Sequence, residues 1–180
     1  MRQPSAVPFS LESEKVIDTI DFLRLDPEKT VLVGSAALAL YGYDLHDHDP
    51  ISGNYSPRPS DLDFATLPTY MNEIHADGIH GLLAAPKPHL ATLTGTETIL
   101  RIPSEPLPAD LISRYNPDAS LRRYEARFNR YWQHRSQELA TPKGTPFRII
   151  GSRTLRHELS SRSGLGKIDP KATIDLKLIS

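Results

Sequence analysis

The residue types able to do chemistry gather in two short stretches, Gly34-Ser35 and Ser60-Asp61-Leu62-Asp63. The first follows an apolar run, Val31-Leu32-Val33, and opens a stretch of helical character, Ala36-Ala37-Leu38-Ala39-Leu40. A glycine at such a turn lets backbone approach a phosphate, and a helix N-terminus presents unbonded N–H groups and a positive dipole end. The Ser35 hydroxyl adds a donor. Asp61 and Asp63 stand two apart at the head of a predicted strand, so they face the same side. Their mutual repulsion is relieved when they share a divalent cation such as Mg²⁺ or Mn²⁺. Each motif also has a plainer explanation: an ordinary strand-to-helix turn for the glycine and serine, and a cap at a strand start for the aspartates. Together they point to the handling of nucleoside triphosphates.

A third carboxylate completes a two-cation site, which can hold the attacking and leaving oxygens of phosphoryl transfer. Asp110, in Pro108-Ala109-Asp110-Leu111-Ile112, is the best candidate. It sits among apolar residues on a predicted strand, where an unpaired charge is poorly tolerated. The alternative is a loop aspartate ahead of a strand. Glu97 and Glu105 are weaker rivals, one at a turn and one among prolines.

The elements that position these residues follow from periodicity and breakers. A helix is expected over Leu11–Leu25, capped by Ser10 and ended by Asp26-Pro27. Thr30–Val33 reads as a buried strand, Ser35–Tyr41 as a helix stopping at Gly42, and Asp61–Thr66 as a strand. Between them, Tyr43–Pro59 reads as a long polar loop. A helix over Tyr70–Ala76 precedes a hairpin, His89–Thr94 and Glu97–Ile102, and a further strand over Ala109–Ser113. Leu121–Leu139 reads as one helix, with Leu121, Tyr124, Phe128, Tyr131 and Trp132 on an apolar stripe and Arg123, Arg127 and Arg130 on another face. Helices over Thr154–Ser161 and from Pro170 to Ile179 follow. This order is an α/β (α+β) half, residues 1–113, followed by a helical part, residues 114–180, that packs on it.

Composition excludes several classes. The chain has 180 residues, enough for one domain with a substantial core. It has no cysteine, which removes disulfides, thiolate metal sites and a cysteine nucleophile. No apolar run approaches the about 20 residues of a membrane span, and the polar N-terminus lacks the apolar stretch of a signal peptide. The expectation is a cytoplasmic protein with no membrane partner. The net charge of −1 predicts no bulk affinity for nucleic acid, yet it is unevenly spread. Leu11–Asp63 carries eleven acidic residues against four basic ones, whereas Arg114–Arg135 carries six arginines against two acids. Such a basic segment can hold an RNA acceptor, with Tyr or Trp stacking on bases, or be the solvated face of an amphipathic helix.

Val33-Gly34-Ser35 followed by Arg58-Pro59-Ser60-Asp61-Leu62-Asp63-Phe64 resembles the nucleotidyltransferase superfamily, with its polymerase-β-like fold. That family's signature is a Gly-Ser or Gly-Gly turn, then Asp-x-Asp, then a later Asp. Within it the chain is most similar to the AbiEii and MenT toxin nucleotidyltransferases, which approach their carboxylates through an Arg-x-Ser-x-Asp-x-Asp pattern. In the tail, Lys171 and Asp175 match that family's lysine and final aspartate, and Ala172 stands where the family has its first aspartate.

The resemblance implies a polymerase-β-like core with a small mixed sheet flanked by helices, followed by a helical C-terminal part. It implies that Gly34, Ser35, Arg58, Ser60 and Lys171 bind the nucleotide, that Asp61 and Asp63 hold Mg²⁺ or Mn²⁺, and that Asp110 holds the second cation or activates the acceptor hydroxyl. It places Lys171 and Asp175 beside those carboxylates in catalysis, the aspartate orienting the lysine. The expected activity is transfer of NMP from an NTP such as ATP to an acceptor hydroxyl, with pyrophosphate released. The toxin likeness favours the 3′ end of tRNA as acceptor and a cognate antitoxin protein as partner. A protein hydroxyl as acceptor, or a degenerate nucleotide-binding module without catalysis, are the alternatives.

Overall fold

In a computed structural model the protein is described over residues 11–43, 45–48, 51–78, 89–94, 97–113, 120–164 and 176–177. The chain runs α1 (Leu11–Leu23), β1 (Thr30–Val33), α2 (Gly34–Leu40), β2 (Leu45–His48), β3 (Tyr55–Arg58), β4 (Leu62–Thr66) and α3 (Pro68–Asp77). It continues through β5 (His89–Thr94), β6 (Glu97–Ile102), β7 (Ala109–Ser113), α4 (Leu121–Phe128), β8 (Ser136–Ala140), β9 (Pro146–Ile150) and α5 (Ser152–Gly164). Seven strands form one mixed sheet in the order β5-β6-β7-β4-β1-β9-β8. The β4–β7 and β1–β9 pairs are parallel and the others antiparallel.

Strand alternation gives the sheet two unlike faces. On one, Leu32, Leu62, Phe64, Leu100, Ile102, Leu111 and Ile149 are all buried. Their registers run Leu100↔Leu111↔Phe64↔Leu32↔Ile149, a continuous apolar row across five strands. Helices α1 and α2 contribute Val16, Ile20, Leu23, Leu38 and Leu40 to the same core, and α3 adds Tyr70, Met71 and Ile74. Each such side chain contributes about 1.5–3 kcal/mol of burial free energy. Polar anchors fix the helices. Ser13 Oγ donates to the Ala39 carbonyl at 3.1 Å, and Thr19 Oγ1 accepts from the Leu107 amide at 3.2 Å.

The expected helices and strands up to Ser113 are present, the first helix ending at Leu23. Two expectations are corrected. Tyr43–Pro59 is not a structureless loop: β2 and β3 pair in an antiparallel ribbon from Leu45↔Arg58 to His48↔Tyr55. A two-stranded ribbon has only edges, which is why Pro57 is tolerated in it. Nor is Leu121–Leu139 one helix. α4 ends at Phe128, a π-helical turn covers Asn129–Gln133, and the chain reverses into β8. Ser136-Gln137-Glu138-Leu139-Ala140 is rich in helix formers, and pairing with β9 overrides that preference. The segment after residue 113 is therefore not wholly helical, because β8 and β9 extend the main sheet beside β1. The expected last helix lies outside the described residues, except for a helical Leu176 and Lys177.

Candidate active site

The opposite face of the sheet carries a row of different chemistry. Asp63 on β4 pairs with Val33 on β1 and, on its other side, with Asp110 on β7; Asp110 in turn pairs with Arg101 on β6. Residues in register share a face, so Val33, Asp63, Asp110 and Arg101 form one rung. Asp61 lies one alternation before Asp63, just ahead of β4. The Leu62 amide donates to the Pro108 carbonyl at 2.9 Å, which ties the start of β4 to the approach of β7. Carboxylate oxygens of Asp61, Asp63 and Asp110 come within 4.8 Å of one another. The structure thus brings together the three acidic residues picked out in the sequence.

Gly34 closes one side of this cluster. It has φ +68°, in the region that favours glycine, and a Cβ there would stand 2.8 Å from Asp63 Oδ2. The turn from β1 into α2 therefore presses backbone against a carboxylate that no side chain at this position would leave room for. Ser35 follows, half-buried, in the first turn of the seven-residue α2. Ser60 is exposed, and its hydroxyl lies 3.5 Å from Asp61 Oδ1. Arg58 is buried at the end of β3, and the Arg58–Pro59 peptide is cis. Lys171 and Asp175 lie outside the described residues.

Arg101 was not anticipated. Its Nε donates to Asp110 Oδ1 at 2.8 Å and its Nη2 to Asp110 Oδ2 at 2.7 Å and Asp61 Oδ2 at 3.1 Å. The hydrogen bonds and charge of Asp110, then the charges of Asp61 and Asp63, hold the guanidinium protonated more firmly than an ordinary arginine. The signal was present in the sequence as a lone charge between Leu100 and Ile102 on a strand. Two carboxylates directly opposite one another destabilise a sheet, and the bidentate arginine offsets that cost.

Beside that rung on the same face, Val33 itself and, two residues along β4 and β7, Ala65 and Ile112 floor a cavity of about 640 Å³. Its walls come from α4, the π-helical turn and the segments beyond: Tyr124, Arg127, Phe128, Arg130, Trp132, Arg135 and Glu158. Tyr124 fixes α4 there, since its hydroxyl donates to the Thr66 carbonyl at 3.3 Å and accepts from Ser113 Oγ at 3.4 Å. Of the arginines expected to face an acceptor, Arg127 and Arg130 line this cavity and the exposed Arg123 does not. The volume is in the ordinary range for a small-ligand site, and apolar floor, aromatic rings and cationic groups suit a flat anionic ligand.

No protein-family model matches the chain, and no curated protein sequence matches it. No helix among the described residues is long and apolar enough to cross a membrane.

Proposed function

We propose that this protein is a Mg²⁺-dependent nucleotidyltransferase of the toxin type, with a polymerase-β-like core, that transfers NMP from an NTP to the 3′ end of tRNA. The observation that carries this reading is the convergence of Asp61, Asp63 and Asp110 on one sheet face, against a glycine turn that admits no side chain. Three carboxylates form an all-oxygen donor set, the kind that hard cations such as Mg²⁺ and Mn²⁺ prefer. When bound, the cation neutralises charge on the triphosphate and on the leaving pyrophosphate.

The chain's own residues would then do the positioning. Asp61 and Asp63, at the start of β4, would hold the cation, and the Gly34-Ser35 turn lies where a phosphate can approach the backbone. An acceptor hydroxyl attacks the α-phosphorus, the new O–P bond forms as the bond to the β-phosphate oxygen breaks, and Asp110 takes the hydroxyl proton. Arg127 and Arg130 in the neighbouring cavity supply positive charge for an RNA end, and Tyr124 and Trp132 supply faces for its bases.

A second reading is favoured by one observation. Arg101 already neutralises Asp110 and Asp61 from within the chain, so the cluster has a counterion of its own. A module that binds nucleotide or a partner without turnover would need nothing more. Incubation with each α-labelled NTP, Mg²⁺ and total tRNA separates the two. Label on RNA that vanishes in Asp61→Ala is the expected result. Label on a polypeptide would move the acceptor to a protein hydroxyl, and nucleotide binding without label anywhere would establish the non-catalytic module.

A further inference from the structure

Arg101 and a divalent cation want the same oxygens. The guanidinium holds both oxygens of Asp110, at 2.8 and 2.7 Å, and one of Asp61, at 3.1 Å. Those two residues, with Asp63, make up the acidic cluster among the described residues. A cation bound by carboxylate oxygens at about 2.0–2.6 Å would sit within a few ångströms of the guanidinium, where two positive charges repel. The two therefore compete for Asp110 and Asp61.

Exposure decides which group moves. The Asp110 side chain is 9% exposed and the Arg101 side chain 52%, so the arginine has solvent to swing into and the aspartate does not. Arg148, on the same face across β9, shows what a fixed arginine looks like. Its side chain is 14% exposed and donates to the Pro27 and Gln133 carbonyls as well as to Glu28 and Glu138. The hydrogen bonds of Arg101 go, by contrast, to carboxylates of the cluster.

We propose that Arg101 is an exchangeable counterion: it pairs with Asp110 and Asp61 until a divalent cation displaces it, and so sets the affinity of the site for that cation. The inference rests on the cation-binding reading above. It explains how the cluster stays folded with no cation bound, because the guanidinium offsets one of the three negative charges and hydrogen-bonds two of the carboxylates. It also has a quantitative consequence. The apparent affinity for the cation is the intrinsic affinity multiplied by the fraction of time the arginine is away.

The test is titration of the full chain with Mn²⁺, followed by electron paramagnetic resonance, for the wild type, Arg101→Gln, Arg101→Lys and Asp63→Asn. Removing the competing charge should tighten Mn²⁺ binding by about tenfold or more in Arg101→Gln, with Arg101→Lys between it and the wild type. Without Mn²⁺ the urea midpoint of Arg101→Gln should fall, and saturating Mn²⁺ should raise it by more than it raises the wild type. Mn²⁺ binding in Arg101→Gln that is unchanged or weaker overturns the proposal. Asp63→Asn tells the two failures apart. If it loses Mn²⁺ while Arg101→Gln matches the wild type, only the exchange is wrong. If it keeps wild-type affinity, the cation is not in this cluster and the functional reading falls with it.

Discussion

The two faces of one sheet differ in what they ask of their residues. The face toward α1, α2 and α3 is apolar from β6 to β9, and its central side chains are at most 3% exposed. The other face, built by the alternate residues of the same strands, carries Asp63, Asp110 and Arg101 in one rung and an arginine-lined cavity beside it. The first face gains stability from area removed from water. The second keeps like charges adjacent, a cost that the Arg101 guanidinium partly offsets. Residues differing by one position along β4 or β7 therefore serve opposite ends, and the rigid face holds the charged one in place.

Substitutions can sharpen that contrast, in order of their expected effect on stability. Ile149→Ala, on the apolar face and two strands from Asp63, should cost about 2–5 kcal/mol in urea unfolding. It should leave the activity of the folded fraction unchanged. Gly34→Ala combines a strained positive φ with a Cβ set 2.8 Å from Asp63 Oδ2. It should cost about 1–3 kcal/mol and depress NMP transfer well below the level that its loss of folded protein explains. Equal falls in transfer and in folded fraction would show that the turn only shapes the fold. Replacing Arg127 and Arg130 by Gln should shift stability by no more than about 0.5 kcal/mol. The pair should lower the salt slope of tRNA binding by about one for each arginine that meets a phosphate. An unchanged slope would remove the cavity from the acceptor's path. The chain has a single tryptophan, Trp132, in the cavity wall, so its fluorescence reports occupancy directly.

How much of this was legible in the sequence depended on whether the signal was local. The strands holding Asp63 and Asp110 are short apolar runs bounded by proline, glycine or charge, and their periodicity is plain. Asp63 and Asp110 stood out because a carboxylate inside such a run needs a reason. Arg101 gave the same signal, between Leu100 and Ile102, but its meaning depends on the β6–β7 register that sets it opposite Asp110. β8 was hidden for another reason: Gln137, Glu138 and Leu139 are good helix formers, and only the long-range pairing with β9 makes them a strand. The cavity was legible least of all. The π-helical turn after Phe128 brings Arg130 and Trp132 to the same wall as Tyr124 and Arg127, and no simple helical period records that shift.

The most direct test is a paired measurement on one preparation of Asp63→Asn, with urea unfolding read without divalent cation and α-labelled NMP transfer read in Mg²⁺. If this face serves chemistry and the other serves the fold, transfer falls by about 10²-fold or more while the unfolding midpoint holds or rises, because the loss removes a like charge beside Asp110. Transfer at the wild-type level, or a fall in transfer that only follows a collapse of the midpoint, would contradict it.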